Sequence, residues 1–334
     1  MVSDMSDILK FPEFSHTPVL LKESIEALQV MPQGVYIDCT VGGGGHSLEI
    51  AGKLDFSKRT LRANPNPKRT SGALLCLDQD RQAIEAAKIK LANFPVILIN
   101  DNFTNIKKHA SEQGFTDADG ILMDLGVSSH QLDSAERGFS FHEDAPLDMR
   151  MNPAEGNLSA YDVVNTYSAE DLTRILFHYG EEKFARGITS GIIKAREESP
   201  VKTTNQLAEI IKNNVPLKIR KEKNPCRKTF QAIRIEVNSE LENIEKALPE
   251  AFELLKSGGR LAVISFHSLE DRIVKNSFKQ LSTGCICPPE FPVCVCGNKP
   301  KGRLVYKKPV TAGQAELENN IRSRSAKLRV IEKI

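Results

Sequence analysis

The stretch Asp38-Cys-Thr-Val-Gly-Gly-Gly-Gly-His-Ser47 decides the fold prediction, because it follows an apolar run and opens a helical pattern. Glycines let a backbone approach a ligand closely, and the amides at a helix N-terminus supply hydrogen-bond donors. The dinucleotide fingerprint Gly-x-Gly-x-x-Gly fails here, since its third position is Ser47 or Leu48. No Gly-Lys-Ser/Thr follows, which argues against a nucleoside-triphosphate loop. The stretch therefore predicts a ligand-binding turn; a glycine-rich turn without a ligand is the alternative.

Short, nearly all-apolar runs surround this turn, and each has the length of a strand. Such runs are typical of parallel strands that are covered by helices on both faces. Helical patterns lie between them, for example at Asp80–Leu91. We therefore predict an α/β fold, a Rossmann-like, doubly wound and mostly parallel sheet. The five predicted strands are Val35–Thr40, Ala73–Asp78, Val96–Asn100, Gly120–Leu125 and Arg260–Phe266, and a closing pair is predicted at Arg303–Lys308 and Ala326–Glu332.

The segment between the fourth and fifth predicted strands is too long for one crossover connection. It contains helix-start signals at Ser168 and Thr203, each followed by apolar residues at helical spacing. We predict an inserted helical domain at residues 135–228 that recognises substrate, with residues 1–134 and 229–334 forming the ligand-binding domain. A helix at Ser239–Leu255 returns the chain to the sheet, and Gly258-Gly259 marks its end.

Composition and charge narrow the class of protein. The chain has 334 residues, 40% hydrophobic and 26% charged, which is ordinary for a soluble protein. No apolar run approaches the ~18 residues of a membrane span, and the N-terminus lacks a signal-peptide pattern, so we expect a cytoplasmic protein. Residues 297–334 hold ten basic and three acidic side chains, and Lys58–Gly72 holds five basic ones and no acid. Both stretches could contact a polyanionic partner. The alternatives are a solvated tail for residues 297–334 and an exposed surface loop for Lys58–Gly72.

Two acids and one aromatic residue are predicted to meet at the carboxyl edge of the sheet. Asp78 ends the second strand, where an acid can accept hydrogen bonds from ribose hydroxyls, whereas Asp80 suits a helix cap. Asp124 ends the fourth strand. Phe103 follows the third strand, where its ring could either stack beside an adenine or be buried in the core. Ligands of open α/β sheets bind at this edge, so a shared crevice is predicted.

Beyond these positions, long ordered blocks give the chain a resemblance to the RsmH (MraW) ribosomal RNA methyltransferases, within the class I, S-adenosylmethionine-dependent methyltransferases. The resemblance extends from His16 to Arg329. The blocks that carry it are Gly42–Ser47, Met123–Ser129, Ala135–Phe141, Pro146–Met151, Arg227–Ile235, Ser265–Arg272 and Ser323–Arg329.

This resemblance implies a cofactor, a substrate and a set of contacts. The cofactor is S-adenosylmethionine. The substrate is the exocyclic N4 amine of a cytidine in the decoding region of 16S ribosomal RNA, within the small ribosomal subunit; no membrane partner is expected, and a homo-oligomer is compatible with the sequence. The implied cofactor contacts are Gly44, Gly45, His46, Asp78, Phe103, Asp124 and Gln131.

Methyl transfer from a sulfonium is a direct displacement, so the protein contributes mainly by positioning the two reactants. The cytosine amine is a poor nucleophile, so a hydrogen-bond acceptor aimed at it would help. Asp124, as the catalytic residue, or a backbone carbonyl of residues 125–128 would serve. The alternatives are a methyltransferase of the same fold acting on DNA or protein amines, and a catalytically idle RNA-binding factor in ribosome assembly.

A basic segment, Lys218–Lys228, leads into Phe230 and suits phosphate neutralisation with base stacking. We expect Arg227, Lys228 and Arg234 to face RNA while the apolar residues of the same helix are buried. His267, just past the fifth strand, suits either the substrate crevice or a structural hydrogen bond.

Four of the seven cysteines, Cys285, Cys287, Cys294 and Cys296, lie in one proline-rich segment. Four thiols suit a tetrahedral zinc site, but the usual Cys-x-x-Cys spacing is absent. Reduced thiols are the default in the cytosol, so the sequence favours no metal.

Overall fold

In the computed structural model of the chain, residues 18–57, 71–156, 158–222, 224–288, 290–291 and 293–334 are described. They form a seven-stranded sheet with the order β3-β2-β1-β4-β5-β7-β6. Strands β1 to β5 are parallel, and β7 runs antiparallel between β5 and β6. The strands are β1 Val35–Asp38, β2 Ala73–Asp78, β3 Ile97–Asn100, β4 Ala118–Asp124, β5 Leu255–Ser265, β6 Gly302–Leu304 and β7 Lys327–Lys333. The predicted α/β fold is confirmed, including the closing pair.

The helices follow the strands in the alternation that the sequence predicts. Short 3-10 turns lie at Phe103–Asn105, Ala135–Arg137, Pro153–Glu155 and Ile321–Ser325. The α-helices are α1 Leu21–Leu28, α2 Gly45–Lys53, α3 Arg81–Lys90, α4 Ile106–Glu112, α5 Ser129–Asp133, α6 Ala160–Thr166, α7 Ala169–His178, α8 Ala185–Glu198, α9 Thr204–Asn213, α10 Leu217–Glu222, α11 Cys226–Asn238, α12 Glu240–Leu254, α13 Ser268–Ser282 and α14 Gln314–Asn319.

Helices cover both faces of the sheet, and each face has its own apolar core. On one face, Ile37 and Ile121 pack with residues of α4, α12 and α13. On the other, Tyr36 and Leu74 pack with residues of α1, α2 and α3. Because both faces are buried, the strands are apolar at nearly every position rather than at alternate positions.

A third core lies within the helical segment and contains residues from Phe139 to Val237. Its helix starts agree with the predicted signals, since the side chains of Ser168 and Thr203 accept hydrogen bonds from Asp171 N and Gln206 N. Helix α11 contributes to this core and runs across residue 228. The domain boundaries at residues 134 and 228 stay a prediction.

The helix that the sequence predicts before the fifth strand is present. The helix predicted at Ser239–Leu255 is confirmed, since α12 spans Glu240–Leu254, but Gly258-Gly259 does not mark its end: both glycines lie inside β5, which begins at Leu255. The pairing of β5 with β4 shifts register between Ala118 and Gly120, so the glycines belong to an irregular strand.

Most of the predicted loop at Lys58–Gly72 lies outside the described residues. Within the described ranges, no helix is long and apolar enough to cross a membrane.

Candidate cofactor and active site

A cavity of about 640 Å³ opens at the carboxyl ends of the central strands, where open α/β sheets bind ligands. Its walls come from the glycine-rich loop, the ends of β2 and β4, and the start of α12. Of the predicted cofactor contacts, the cavity is lined by Gly45, His46, Asp78, Phe103, Asp124 and Gln131. The structure therefore brings six of the seven together.

The glycine-rich loop has a shape that side chains would disturb. Gly42 has a φ of +50° and Gly44 a φ of +79°, a conformation that favours glycine. A Cβ on Gly45 would collide with the ring of Pro18, which also lines the cavity. Gly44, the seventh predicted contact, faces α3 instead: its Cβ would lie 3.5 Å from the Cα of Ala87. Gly44 therefore caps α2 and packs against α3, whereas the adjacent Gly43 and Gly45 line the cavity.

Asp78 ties the glycine-rich loop to the end of β2. Its Oδ2 accepts a hydrogen bond of 2.9 Å from Gly42 N, and its Oδ1 accepts one of 2.9 Å from Asp80 N. Burial raises the pKa of Asp78 to about 7, although both amide bonds act in the opposite direction. The carboxyl therefore shapes the loop, and any contact with a ribose would use its remaining acceptor capacity.

Asp124 ends β4 with its side chain 24% exposed, on the cavity wall. Its Oδ1 has no hydrogen-bond partner among the described residues, and its Oδ2 lies 3.8 Å from His46 Nδ1. The backbone is fixed, because Asp124 N donates a 2.7 Å hydrogen bond to Thr40 Oγ1. Burial, followed by the nearby carboxylates of Asp38 and Glu270, raises the pKa of Asp124 well above its usual value.

His46, in the first turn of α2, lies beside Asp124. Burial lowers the pKa of His46 to about 4, so its ring is neutral at pH 7. Its Nε2 also lacks a hydrogen-bond partner within the described part of the chain. Buried polar atoms are normally paired, and these two are buried without a described partner beside the cavity that both residues line.

Gln131 and Asp80 belong to a buried network behind the cavity. The side chain of Gln131 accepts from Ser128 N at the start of α5 and donates a 2.8 Å hydrogen bond to Asp80 Oδ2. Arg137 Nη1 donates to the same carboxylate oxygen at 3.0 Å. Asp80 also accepts from Gln82 N, which confirms its predicted role as the cap of α3. The network joins α3 to the loop after β4.

Phe103 lies where both of its predicted roles remain open, and stacking beside an adenine stays a prediction. It is partly buried against the core of the sheet and also lines the cavity. The opposite wall contains residues that sequence reasoning missed, because they come from distant parts of the chain. These are Met151, Asn238, Glu240, Asn243, Phe266, Glu270 and Arg322. Met151, Phe266 and Glu270 lie inside blocks that carry the family resemblance, but a block does not say which of its side chains face the ligand.

The three residues predicted to face RNA, and His267 with its two predicted roles, differ in their surroundings. Arg227 and Lys228 are exposed on α11, and Lys228 Nζ donates to the carbonyl of Glu181. Arg234 forms a two-point ion pair with Glu240, at 2.7 and 2.8 Å. The His267 side chain is 10% exposed, and its Nδ1 accepts from Glu270 N at the start of α13. Arg234 and His267 are therefore paired with Glu240 and Glu270, which line the cavity, and their contact with RNA stays a prediction.

The whole chain matches a family of methylases. The family model described as "MraW methylase family" covers residues 13–334. The chain belongs to the MraW methylase family. It is therefore a methyltransferase, and the resemblance predicted from the ordered blocks is confirmed.

Sequence relatives agree with this membership. Proteins named ribosomal RNA small subunit methyltransferase H from Clostridium botulinum, strains Kyoto (type A2) and 657 (type Ba4), are 51% identical over 323 residues. Each match covers 96% of this methyltransferase and 100% of the relative.

Solved structures give more distant matches. An rRNA methylase from Streptococcus thermophilus is 10% identical, with a TM-score of 0.40, over 94% of this chain and 95% of that one. The Streptococcus mutans protein SMU.1697c, in complex with SAH, is 13% identical, with a TM-score of 0.44, over 96% and 99%. Membership rests on the family model and the sequence relatives.

Proposed function

We propose that this protein transfers a methyl group from S-adenosylmethionine to the N4 amine of a cytidine in the decoding region of 16S ribosomal RNA. The observation that carries the proposal is the side chain of Asp124, 24% exposed on the wall of a cavity that the glycine-rich loop borders. The relatives named ribosomal RNA small subunit methyltransferase H support the choice of substrate. A ribosomal substrate would place the protein in the cytoplasm.

The cavity suits S-adenosylmethionine by size and chemistry. Its volume of about 640 Å³ lies within the range of small-molecule sites. Phe103 and Ile244 provide apolar surface for an adenine, and Asp78, Asp124 and the loop amides provide polar partners for the ribose and amino acid parts. Bound there, the cofactor supplies an activated methyl group on a sulfonium.

The chain's own part in the reaction is to position the amine and accept its proton. An amine N–H of cytosine would donate a hydrogen bond to the partly exposed carboxylate of Asp124, which helps to localise the nitrogen lone pair. Because burial raises the pKa of Asp124, its carboxylate is a stronger base than an exposed aspartate. The 2.7 Å bond from Asp124 N to Thr40 Oγ1 holds the residue in place. Carbonyls of residues 125–128 remain the alternative acceptor.

The RNA would approach over α11 and the helical segment. Arg227 and Lys228 present positive charge on the exposed face of α11, while Phe230 of the same helix is buried. Part of the basic C-terminal segment is already paired, since Arg322 contacts Asp133, and Lys327 and Arg329 contact Asp271. We therefore assign the first phosphate contacts to α11 rather than to that segment.

The test is methyl transfer from labelled S-adenosylmethionine to small ribosomal subunits that lack the mark, beside naked 16S RNA and DNA. Label on a single cytidine amine of the subunit RNA supports the proposal and identifies the preferred form of substrate. Label on DNA or on protein favours another acceptor. Intact cofactor binding with no label on any of the three would favour an idle RNA-binding factor.

A further inference from the structure

A cluster of four cysteine sulfurs lies outside the candidate active site, between α13 and β6. The Sγ atoms of Cys285, Cys287, Cys294 and Cys296 all lie within 4.8 Å of one another. Cys285 Sγ is 3.3 Å from Cys294 Sγ and 3.8 Å from Cys296 Sγ, and the last two are 3.6 Å apart. All four cysteines are free rather than joined as disulfides.

These separations match a tetrahedral metal site. Four sulfurs around zinc, with Zn–S bonds of about 2.3 Å, lie about 3.8 Å from one another along the edges of the tetrahedron. A disulfide needs sulfurs at about 2.05 Å, far closer than any pair here. The cluster therefore has the dimensions of a site that one ion occupies.

Backbone amides already point at the sulfurs, as they do around metal-bound thiolates. Ile286 N and Asn298 N each donate to Cys296 Sγ at 3.4 Å, and Val295 N donates to Cys287 Sγ at 3.3 Å. Hydrogen bonds of this kind stabilise negative charge on sulfur and orient the ligands. They are the second observation, beside the sulfur geometry, that favours thiolates over neutral thiols.

Among the described residues around the cysteines, the large apolar side chains form no buried core. These side chains, Ile286, Phe291, Val293 and Val295, are each at least 50% exposed. At its base, Asn298 Nδ2 donates to the carbonyls of Thr283 and Gly284. A short segment without buried apolar surface needs another source of order, such as a structural metal.

We propose that Cys285, Cys287, Cys294 and Cys296 bind one Zn²⁺ ion in a closed, structural tetrathiolate site. The inference departs from the sequence-based expectation of metal-free thiols, because the spacing Cys-x-Cys gave no sign of the geometry that the folded segment adopts. Four thiolate ligands leave no open position, so the ion would order the segment rather than take part in methyl transfer. The proposal does not depend on the identity of the methyl acceptor.

The first experiment measures the metal content of the full chain purified without chelator and with a reductant, by mass spectrometry of the elements. About one zinc per chain is expected, with loss of that zinc in Cys294→Ser. Cys226→Ser is the matched control, because Cys226 is a buried cysteine of α11 outside the cluster, and it should keep the zinc.

A second measurement avoids any variant that fails to fold. Chelated wild-type protein is titrated with Co²⁺, and intense sulfur-to-cobalt charge-transfer absorption that saturates at about one equivalent and disappears on adding Zn²⁺ supports the site. Three results would overturn the proposal: four reactive thiols without metal, two disulfides in the reduced-purified protein, or iron in place of zinc.

Discussion

His46 Nδ1 lies 3.8 Å from Asp124 Oδ2, and the far atoms of the pair, His46 Nε2 and Asp124 Oδ1, lack partners among the described residues. The imidazole is neutral at pH 7 because burial lowers its pKa to about 4. The neutral ring does not hold the pKa of Asp124 down, and burial raises it. Asp124 therefore keeps its proposed role as the group that receives a proton from a ligand in the cavity.

Asp124→Asn should lower the rate of methyl transfer by about 10²-fold or more, because an amide cannot take up the proton. Single-turnover rates and S-adenosylmethionine affinity, measured by calorimetry, separate the reaction from binding. Asp117→Asn is the control, since Asp117 is exposed at the opposite end of β4 and its φ of +61° suits asparagine. Full turnover by Asp124→Asn with unchanged cofactor affinity would eliminate the proton-acceptor role.

Gly45→Ala should weaken cofactor binding about tenfold or more, which corresponds to about 1.4 kcal/mol. The added Cβ collides with Pro18, so the wall of the cavity must move. Gly52→Ala in the same helix is the control: no atom lies within 4 Å of its added Cβ, and alanine should stabilise α2 by about 0.5–1 kcal/mol. Calorimetric titration and thermal unfolding measure the two effects. Equal affinities for both variants would show that the Pro18 contact does not shape the site.

Arg137→Met should destabilise the fold by about 3–5 kcal/mol, because it leaves the buried carboxylate of Asp80 without its cation. The two side chains are 9% and 5% exposed and 3.0 Å apart. In contrast, Glu85→Gln removes an exposed ion pair with Lys88 and should cost less than about 1 kcal/mol. Urea unfolding followed by circular dichroism measures both. A small loss in Arg137→Met would mean that the hydrogen bonds from Gln131 and from Gln82 N are enough to satisfy Asp80.

The pKa of Asp78 predicts a pH dependence of stability. The folded carboxyl keeps its proton up to a pH of about 7, whereas the ordinary value is 3.8. The native state therefore binds more protons in this window, and the stability that Asp78 contributes falls as pH rises from about 4 to about 7. Unfolding free energies of wild type and Asp78→Asn across that range give its share, because the other titrating groups are common to both proteins. The wild-type advantage should shrink with rising pH; an advantage that grows would contradict the raised pKa.

The fold was predictable from sequence because its strands are short apolar runs bounded by polar or glycine residues. Asp80 was predictable as a cap because capping is a local interaction with Gln82 N. The early start of β5, with Gly258-Gly259 inside it, was not predictable, since the irregular pairing of β5 with β4 depends on the whole sheet.

The site was predictable in position but not in contacts. The strand ends placed Asp78 and Asp124 in one crevice. The sequence did not show that both carboxylate oxygens of Asp78 accept hydrogen bonds from backbone amides. Likewise, the pairing of Arg234 with Glu240 needs the turn between α11 and α12 to bring the two side chains together. Such partners become visible only when the distant elements are packed.

The surroundings of Arg227 and Arg234 lead to the last prediction. Arg227→Ala should weaken RNA binding and reduce the slope of log affinity against log salt by about one, because one phosphate contact is lost. Arg234→Ala should leave the salt slope nearly unchanged and destabilise the fold instead, since its partner Glu240 is buried. Filter binding of 16S RNA at several salt concentrations, with Lys22→Ala on α1 as an exposed-cation control, measures the slopes. If Arg234→Ala flattens the slope and Arg227→Ala does not, the ion pair with Glu240 opens on RNA binding and the assignment of the two arginines is reversed.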